Sequence, residues 1–112
     1  MASPQLENGY LRVANELAEA IARTPFNGSQ LRITWVVMRE CYGRHGGQKF
    51  APLSRRKIAT RTGLNYRTVR RETNWLLRAN VLMLKDNGGQ DALWGLNKDY
   101  ESWRVEGQLT PP

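Results

Sequence analysis

Apolar residues recur at steps of three and four between Tyr10 and Ile21, the spacing of one face of a helix. Asn8 is the predicted N-cap of this first helix, because its side chain can accept a hydrogen bond from a free backbone N–H. Pro25 is its predicted end. The helix is therefore expected to bury six residues: Tyr10, Val13, Ala14, Leu17, Ala18 and Ile21.

A second helix is predicted after the turn residues 27–29 and ends at Gly43. Its stripe consists of apolar residues at helical spacing: Leu31, Trp35, Met38 and Tyr42, widened by Ile33, Val36 and Val37. The β-branched run 33–37 also fits a strand, but the length of the pattern and the terminal glycine favour a helix buried on two sides. This segment is the predicted central core helix, with Trp35 in the core.

A helix, a tight turn and a second helix are predicted between residues 54 and 79. Ser54 caps a short helix, which Gly63 ends in the left-handed conformation. Asn65 caps a longer helix over 66–79, and Leu64 fills the corner between the two. A short strand over 50–53 precedes them, and its proline confines it to the edge of a sheet.

Two β-rich runs, 81–85 and 92–96, flank a polar, glycine-rich loop, so the segment 81–96 is predicted to be a hairpin. The order of elements is that of a winged helix-turn-helix domain, mainly α with a small β-hairpin as the wing. We expect residues 1–103 to form this domain, with Tyr100 and Trp103 packed back on it. The predicted flexible tail or linker is 104–112.

The net charge is concentrated in one quarter of the chain. The 112 residues carry 17 basic and 10 acidic side chains, a net charge of +7, and the segment 54–78 alone holds eight basic residues and one acid. The segment therefore carries 8 − 1 = +7, and the remaining 9 basic and 9 acidic residues cancel. Such concentration favours a polyanionic partner over an evenly solvated surface.

Several function classes are not expected. No apolar run is long enough to cross a membrane, and the N-terminus lacks the pattern of a signal peptide, so a cytoplasmic protein of a reducing compartment is expected. One cysteine and one histidine cannot form a disulfide or a four-ligand zinc site. Because phosphate-loop motifs and carboxylate clusters are also absent from the sequence, neither a cofactor nor an enzymatic activity is expected.

The predicted recognition helix 66–79 presents arginines at steps of three and four residues, so that several guanidinium groups face the same few base pairs of a major groove. Arg70 and Arg71 are the first choices for reading bases. Helix N-termini with Arg55 and Arg56 are expected to hold phosphates, and the hairpin residues Lys85 and Asn87 to touch the adjacent DNA. The candidate DNA-binding residues are Arg55, Arg56, Asn65, Tyr66, Arg67, Thr68, Arg70, Arg71, Asn74 and Lys85.

Four stretches together resemble the N-terminal domain of the lambdoid bacteriophage replication protein O family. They are PQLENGYLRVANELAEAI, QLRITWVVMRECYG, TGLNYRTVRR and GLNKDYESW, within residues 4–103. The resemblance implies a winged-helix domain that binds repeated double-stranded sites at a phage or prophage replication origin in the bacterial host, as a homodimer. It also implies that residues 65–71 open the recognition helix. Helicase-loading machinery would be recruited only through a further C-terminal region, which is not expected in this chain.

Two other functions remain open on the sequence. A winged-helix transcriptional repressor uses the same scaffold, and the arrangement of its sites would distinguish it from a replication initiator. A protein-interaction module of a replisome would bind DNA weakly and lose its partner when an apolar surface patch is changed.

Overall fold

The computed structural model describes residues 1–43, 47–86, 88 and 91–106. Over these residues the chain forms four α-helices and a three-stranded antiparallel sheet with the order β1-β3-β2. This mostly helical arrangement is consistent with the predicted winged helix. The elements are α1 (Asn15–Arg23), α2 (Gly28–Tyr42), β1 (Ala51–Leu53), α3 (Arg55–Thr62), α4 (Tyr66–Arg78), β2 (Leu82–Lys85) and β3 (Ala92–Leu96), with 3-10 turns at Leu6–Asn8 and Tyr100–Ser102.

The second helix, α2, is the central core helix, as the sequence predicts. It packs against α3, α4, β1 and β3. Of the predicted stripe, Ile33, Val37, Met38 and Tyr42 are buried, whereas Trp35 is 48% and Leu31 36% exposed. The predicted core position of Trp35 is therefore wrong. The buried face includes Thr34 and Cys41 instead, small side chains that allow a close approach to neighbouring elements.

The start of the first helix is also corrected. α1 begins at Asn15, and Asn8 ends a short 3-10 turn without capping a helix. Gly9 follows with φ +102°, and residues 9–14 are not helical. Within them Leu11 and Val13 are half-buried while Arg12 and Ala14 are exposed, the alternation of extended chain. Of the six residues predicted to be buried on this helix, Tyr10, Ala14 and Ala18 are exposed.

The helix-turn-helix segment forms as predicted. Ser54 accepts a hydrogen bond from the Lys57 N–H at 3.1 Å, and Asn65 accepts one from the Thr68 N–H at 2.8 Å. Gly63 ends α3 with φ +74°, a left-handed conformation that is sterically unfavourable for residues with a Cβ. Val69 of α4 is fully buried, and Leu64 packs against the core from the corner.

The hairpin pairs Leu82 with Leu96 and Leu84 with Trp94. β1 adds to the outer side of β3, with Pro52 opposite Leu93, so β1 is an edge strand as predicted. The inner side chain of Trp94 is 1% exposed. The sheet, which includes the hairpin, therefore covers one side of the hydrophobic core.

The segment after the hairpin is held to the domain by a polar network. The Asn97 amide donates to the Asn80 carbonyl and to Ser102 Oγ, both at 2.8 Å, and Trp103 Nε1 donates to the Asn97 carbonyl at 2.8 Å. Trp103 is buried, as predicted, and so is Val105, two residues beyond the predicted end of the domain. The domain boundary itself stays a prediction, since residues 107–112 lie outside the described part.

Candidate nucleic-acid interface

One face of α4 is exposed and carries the predicted arginine stripe. Val69, Glu72, Thr73 and Leu76 are buried on the opposite face, at helical spacing. Tyr66 at the first position is exposed, and Asn74 is half-buried. The exposed arginines of this helix are Arg67, Arg70, Arg71 and Arg78.

Acidic partners divide the basic residues of segment 54–78 into two groups. On α3, Lys57 pairs with Asp91 and Arg61 pairs with Glu40. On α4, the side chains of Arg67, Arg70 and Arg78 have no ion pair or hydrogen bond to any described residue. Together with Arg56 on α3, they are the basic side chains of this segment whose guanidinium groups have no ion pair or hydrogen bond within the described residues.

Arg71 differs from its neighbours because it touches Glu72. Its Nε donates to Glu72 Oε1 at 3.3 Å, while 65% of its side chain remains exposed. One edge of the guanidinium is therefore engaged within the protein. The Nη groups stay available for two parallel hydrogen bonds to an outside acceptor pair.

Glu72 was not among the predicted site residues, but it fixes the position of α4. The residue is 7% exposed, and its carboxylate accepts hydrogen bonds from Gln30 Nε2 at 3.1 Å and from Asn27 Nδ2 at 3.5 Å. Asn27 and Gln30 also form the reciprocal capping box of α2. The helix α4 is thus joined to the start of the core helix. The signal in the sequence was the single acid of the basic segment, three residues after Val69 on the buried face.

The first turns of α3 and α4 lie side by side. The Arg56 guanidinium lies 4.9 Å from the centre of the Tyr66 ring. A cavity of about 260 Å³ opens between these residues and the sheet, with Leu84 and Trp94 in its wall. The caps satisfy the Lys57 and Thr68 N–H groups, while the N–H groups of the first helical residues have no partner inside their own helix. The N–H groups at both helix starts can therefore donate hydrogen bonds to phosphate oxygens.

Arg55, predicted to hold a phosphate, has several contacts within the protein. Its Nε donates to Thr73 Oγ1 at 2.9 Å and its Nη2 to Asn74 Oδ1 at 2.8 Å. Its guanidinium carbon lies 5.1 Å from the centre of the buried Trp94 ring. Arg55 therefore joins α3 and β3 to the middle of α4, and only its remaining N–H groups can reach an outside anion.

On the hairpin, Lys85 is exposed at the end of β2. Its Nζ lies 5.8 Å from the centre of the Phe50 ring, and Lys49 Nζ lies 5.9 Å from the same ring. The two ammonium groups thus form a second, smaller basic cluster beside the wing. Asn87, the other predicted wing contact, lies outside the described residues.

Other chemistry is sparse in the described part of the chain. Burial raises the pKa of the Cys41 thiol, which donates to the Trp94 carbonyl at 3.4 Å and behaves as the predicted small buried hydrophobe. No described group of three or more His, Cys, Asp or Glu residues could hold a metal ion. A groove of about 1000 Å³ beside the N-terminal segment contains none of the predicted site residues. None of the described helices is long and apolar enough to cross a membrane.

Comparisons with known proteins agree with the resemblance inferred from the sequence. The family model for bacteriophage replication protein O matches residues 3–103. DNA replication protein gp18 of Salmonella phage P22 is 29% identical over 102 residues, which cover 91% of this chain and 35% of that protein. The chain therefore spans about a third of this relative's length. No solved structure gives a significant match. The chain belongs to the bacteriophage replication protein O family.

Proposed function

We propose that this chain is a sequence-specific binding domain for double-stranded DNA at a phage or prophage replication origin. The observation that carries the proposal is the exposed face of α4, where the side chains of Arg67 and Arg70 have no acidic or hydrogen-bonding partner among the described residues. They lie at the N-terminal half of the second helix of a helix-turn-helix unit. That is the half that reaches base edges in a major groove.

Arginine is suited to this task because its planar fork matches two neighbouring acceptors. Guanine presents O6 and N7 in the major groove, and a bidentate arginine discriminates against other bases by about 1–3 kcal/mol. Arg70 and Arg71 are the proposed base readers. Arg71 has its Nε held by Glu72, so it would use its two Nη groups.

Contacts with phosphates would fix the register of the domain on the duplex. Arg56, Thr68 and the first backbone N–H groups of α3 and α4 are the proposed contacts in the helix-turn-helix unit, and Lys85 is the proposed contact on the wing. Asn65 positions α4 through its cap, and Tyr66 lies between the two helix starts. These contacts would strengthen binding to all sequences alike.

The step from DNA binding to replication rests on family membership. The relative in Salmonella phage P22 carries the name DNA replication protein, and this chain matches about a third of it. We propose that the domain acts in the host cytoplasm, where it binds repeated origin sites as a homodimer. It would do so without catalysing a reaction. Contact with helicase-loading machinery is assigned to regions other than this domain.

The first experiment is selection of random duplex DNA by the purified protein at about 150 mM salt, which suppresses purely electrostatic binding. We expect one enriched motif, present as closely spaced copies beside AT-rich DNA in the source genome. Enrichment of a motif located over a promoter would favour the repressor. If no motif is enriched, the proposed base reading is wrong.

Arginine variants separate base reading from phosphate binding. Arg70→Ala and Arg71→Ala should lower specific affinity roughly 5- to 100-fold and relax the preference at one base position. Arg56→Ala, which removes the same charge from the neighbouring helix, should weaken specific and random duplexes equally. Equal losses on both duplexes for all three variants would contradict the assignment of α4 as the recognition helix.

A protein-interaction module is the second candidate, and one observation favours it. Leu31 and Trp35 lie one turn apart on the exposed face of α2, and both are large apolar side chains. If the selection yields no motif, this candidate moves to first place. Its own test is a double variant, Leu31→Ser with Trp35→Ser, which should abolish partner binding and leave the fold intact.

A further inference from the structure

The contact between Arg55 and Asn74 constrains what α4 can read. Arg55 reaches from the start of α3 to the third turn of α4, where its Nη2 donates to Asn74 Oδ1 at 2.8 Å. Asn74 lies four residues after Arg70, about 6 Å further along the helix. Its amide is therefore on the stripe that would face the bases, one contact beyond the proposed arginine reader.

Neighbouring groups hold the Arg55 guanidinium in place. Its Nε donates to the hydroxyl of Thr73, which is fully buried and itself donates to the Val69 carbonyl at 2.7 Å. One flat face of the guanidinium lies against Trp94, with 5.1 Å between the guanidinium carbon and the ring centre. Two hydrogen bonds and a ring contact leave the fork a single orientation.

That orientation also decides how the Asn74 amide is turned. Arginine offers only donors, so the amide atom that faces it must be the oxygen. Nδ2 is then on the other side and has no acceptor among the residues that the structure describes. Asn74 can therefore offer its N–H donors to an outside group, while its oxygen is turned toward Arg55.

We propose that Asn74 reads guanine, as a donor-only residue set by Arg55; this proposal rests on the DNA-binding function proposed above. An asparagine that is free to turn pairs with adenine, accepting from N6 and donating to N7. Arg55 holds the Asn74 oxygen on the side away from Nδ2, so a base that faces Nδ2 meets N–H donors and not the oxygen that N6 needs. Guanine presents only acceptors there, O6 and N7, and either one can accept from Nδ2. Arg55 thus acts as a positioning residue for specificity.

Three variants test this proposal through the base composition of the selected motif. Asn74→Asp keeps an oxygen for Arg55 but replaces the donor, so the guanine at one position should be lost, with a fall in affinity of roughly tenfold. Arg55→Met releases the amide, so adenine should become accepted at that same position. Arg56→Met, the matched control, removes an equal charge and leaves the amide held, so it should weaken binding without changing the motif.

The outcomes distinguish this proposal from the DNA-binding function on which it rests. A wild-type motif with guanine at the position that Asn74→Asp alters supports the inference, and a shift to adenine in Arg55→Met supports the role of Arg55. Adenine at that position in the wild type overturns the inference, and so does an unchanged motif in Asn74→Asp. Equal loss of affinity on all duplexes makes Asn74 a phosphate contact and also overturns it. Absence of any motif overturns the proposed function itself. Circular dichroism of each variant establishes that it is folded, and Asn74→Asp alone suffices if Arg55→Met does not fold.

Discussion

At the level of single residues, buried polar side chains do more than the exposed arginines to fix the position of α4 in the domain. Glu72 accepts hydrogen bonds from Asn27, Gln30 and Arg71, so it links the recognition helix to the cap of α2 and to one candidate base reader. Thr73, the next residue on the same buried face, links α4 to α3 through Arg55. The orientation of the exposed arginine stripe is therefore decided by side chains on the buried face.

Removing the Glu72 carboxylate should destabilise the fold. In Glu72→Leu the Gln30 and Asn27 amides lose a buried acceptor, so the free energy of unfolding should fall by about 1–3 kcal/mol. Glu72→Gln retains an acceptor oxygen and should lose less. Urea denaturation measures both variants, and a Glu72→Leu protein as stable as the wild type would show that the contact to α2 contributes nothing.

Ionisation of Tyr42 should lower the free energy of unfolding at alkaline pH. Burial, with a smaller effect of the neighbouring Cys41, raises the pKa of Tyr42 to about 12 from 10.0. The unfolded chain ionises first as pH rises, so the stabilising contribution is complete below pH 10 and is lost between pH 10 and about 12.

Comparison with Tyr42→Phe isolates this contribution, because lysines titrate in the same range in both proteins. The wild type should lose about 2 kcal/mol more than the variant across this window, as measured by urea denaturation at each pH. Parallel pH curves for the two proteins would be inconsistent with the raised pKa.

At the scale of elements, local signals specify the helix-turn-helix segment almost completely. Ser54 and Asn65 cap the two helices, and Gly63 ends the first in the left-handed conformation. Each of these devices acts within a few residues, so the sequence alone predicts it. The first helix was predicted less well, because residues 9–14 are extended, with Leu11 beside Gly43 and Val13 packed against the core.

Two glycines give a matched test of the turn. Gly63 has φ +74° and open space where a Cβ would be, so Gly63→Ala should lower the free energy of unfolding by about 1–2 kcal/mol through backbone strain alone. Gly28, the first residue of α2, has equally open space and no positive φ, so Gly28→Ala should be neutral or slightly stabilising. Similar thermal unfolding of both variants would contradict the strain in the turn.

At the level of the whole molecule, the size of the domain and its distribution of charge both fit the proposed binding of duplex DNA. The described chain measures 36 × 32 × 30 Å, close to one turn of duplex DNA, which is about 34 Å. On the proposed function, one domain would therefore cover about one turn. The excess positive charge of segment 54–78 is divided by the fold, which pairs Lys57 and Arg61 with acids and leaves the α4 arginines outward.

Salt dependence should report this division. If about five phosphates are neutralised, the logarithm of the binding constant should fall with the logarithm of salt at a slope near −4 to −5. Arg56→Ala should reduce the magnitude of the slope by about one, whereas Lys57→Ala, which removes a cation already paired with Asp91, should change it less. Fluorescence anisotropy with one duplex between 50 and 300 mM salt measures the slopes, and a wild-type slope near zero would contradict a phosphate-binding face.

Local signals in the sequence were enough to predict the capped helices α3 and α4, the turn at Gly63, the edge strand with Pro52, the hairpin and the basic segment. The tertiary structure decided which face each helix buries. Trp35 is exposed because the close-packed side of α2 is taken by smaller side chains, and Arg55 turns inward because Thr73, Asn74 and Trp94 surround it. Apolar periodicity predicts that a helix has a buried face, but which residues at the edge of that face are covered, and which distant side chains form hydrogen bonds, depend on packing between segments far apart in the chain.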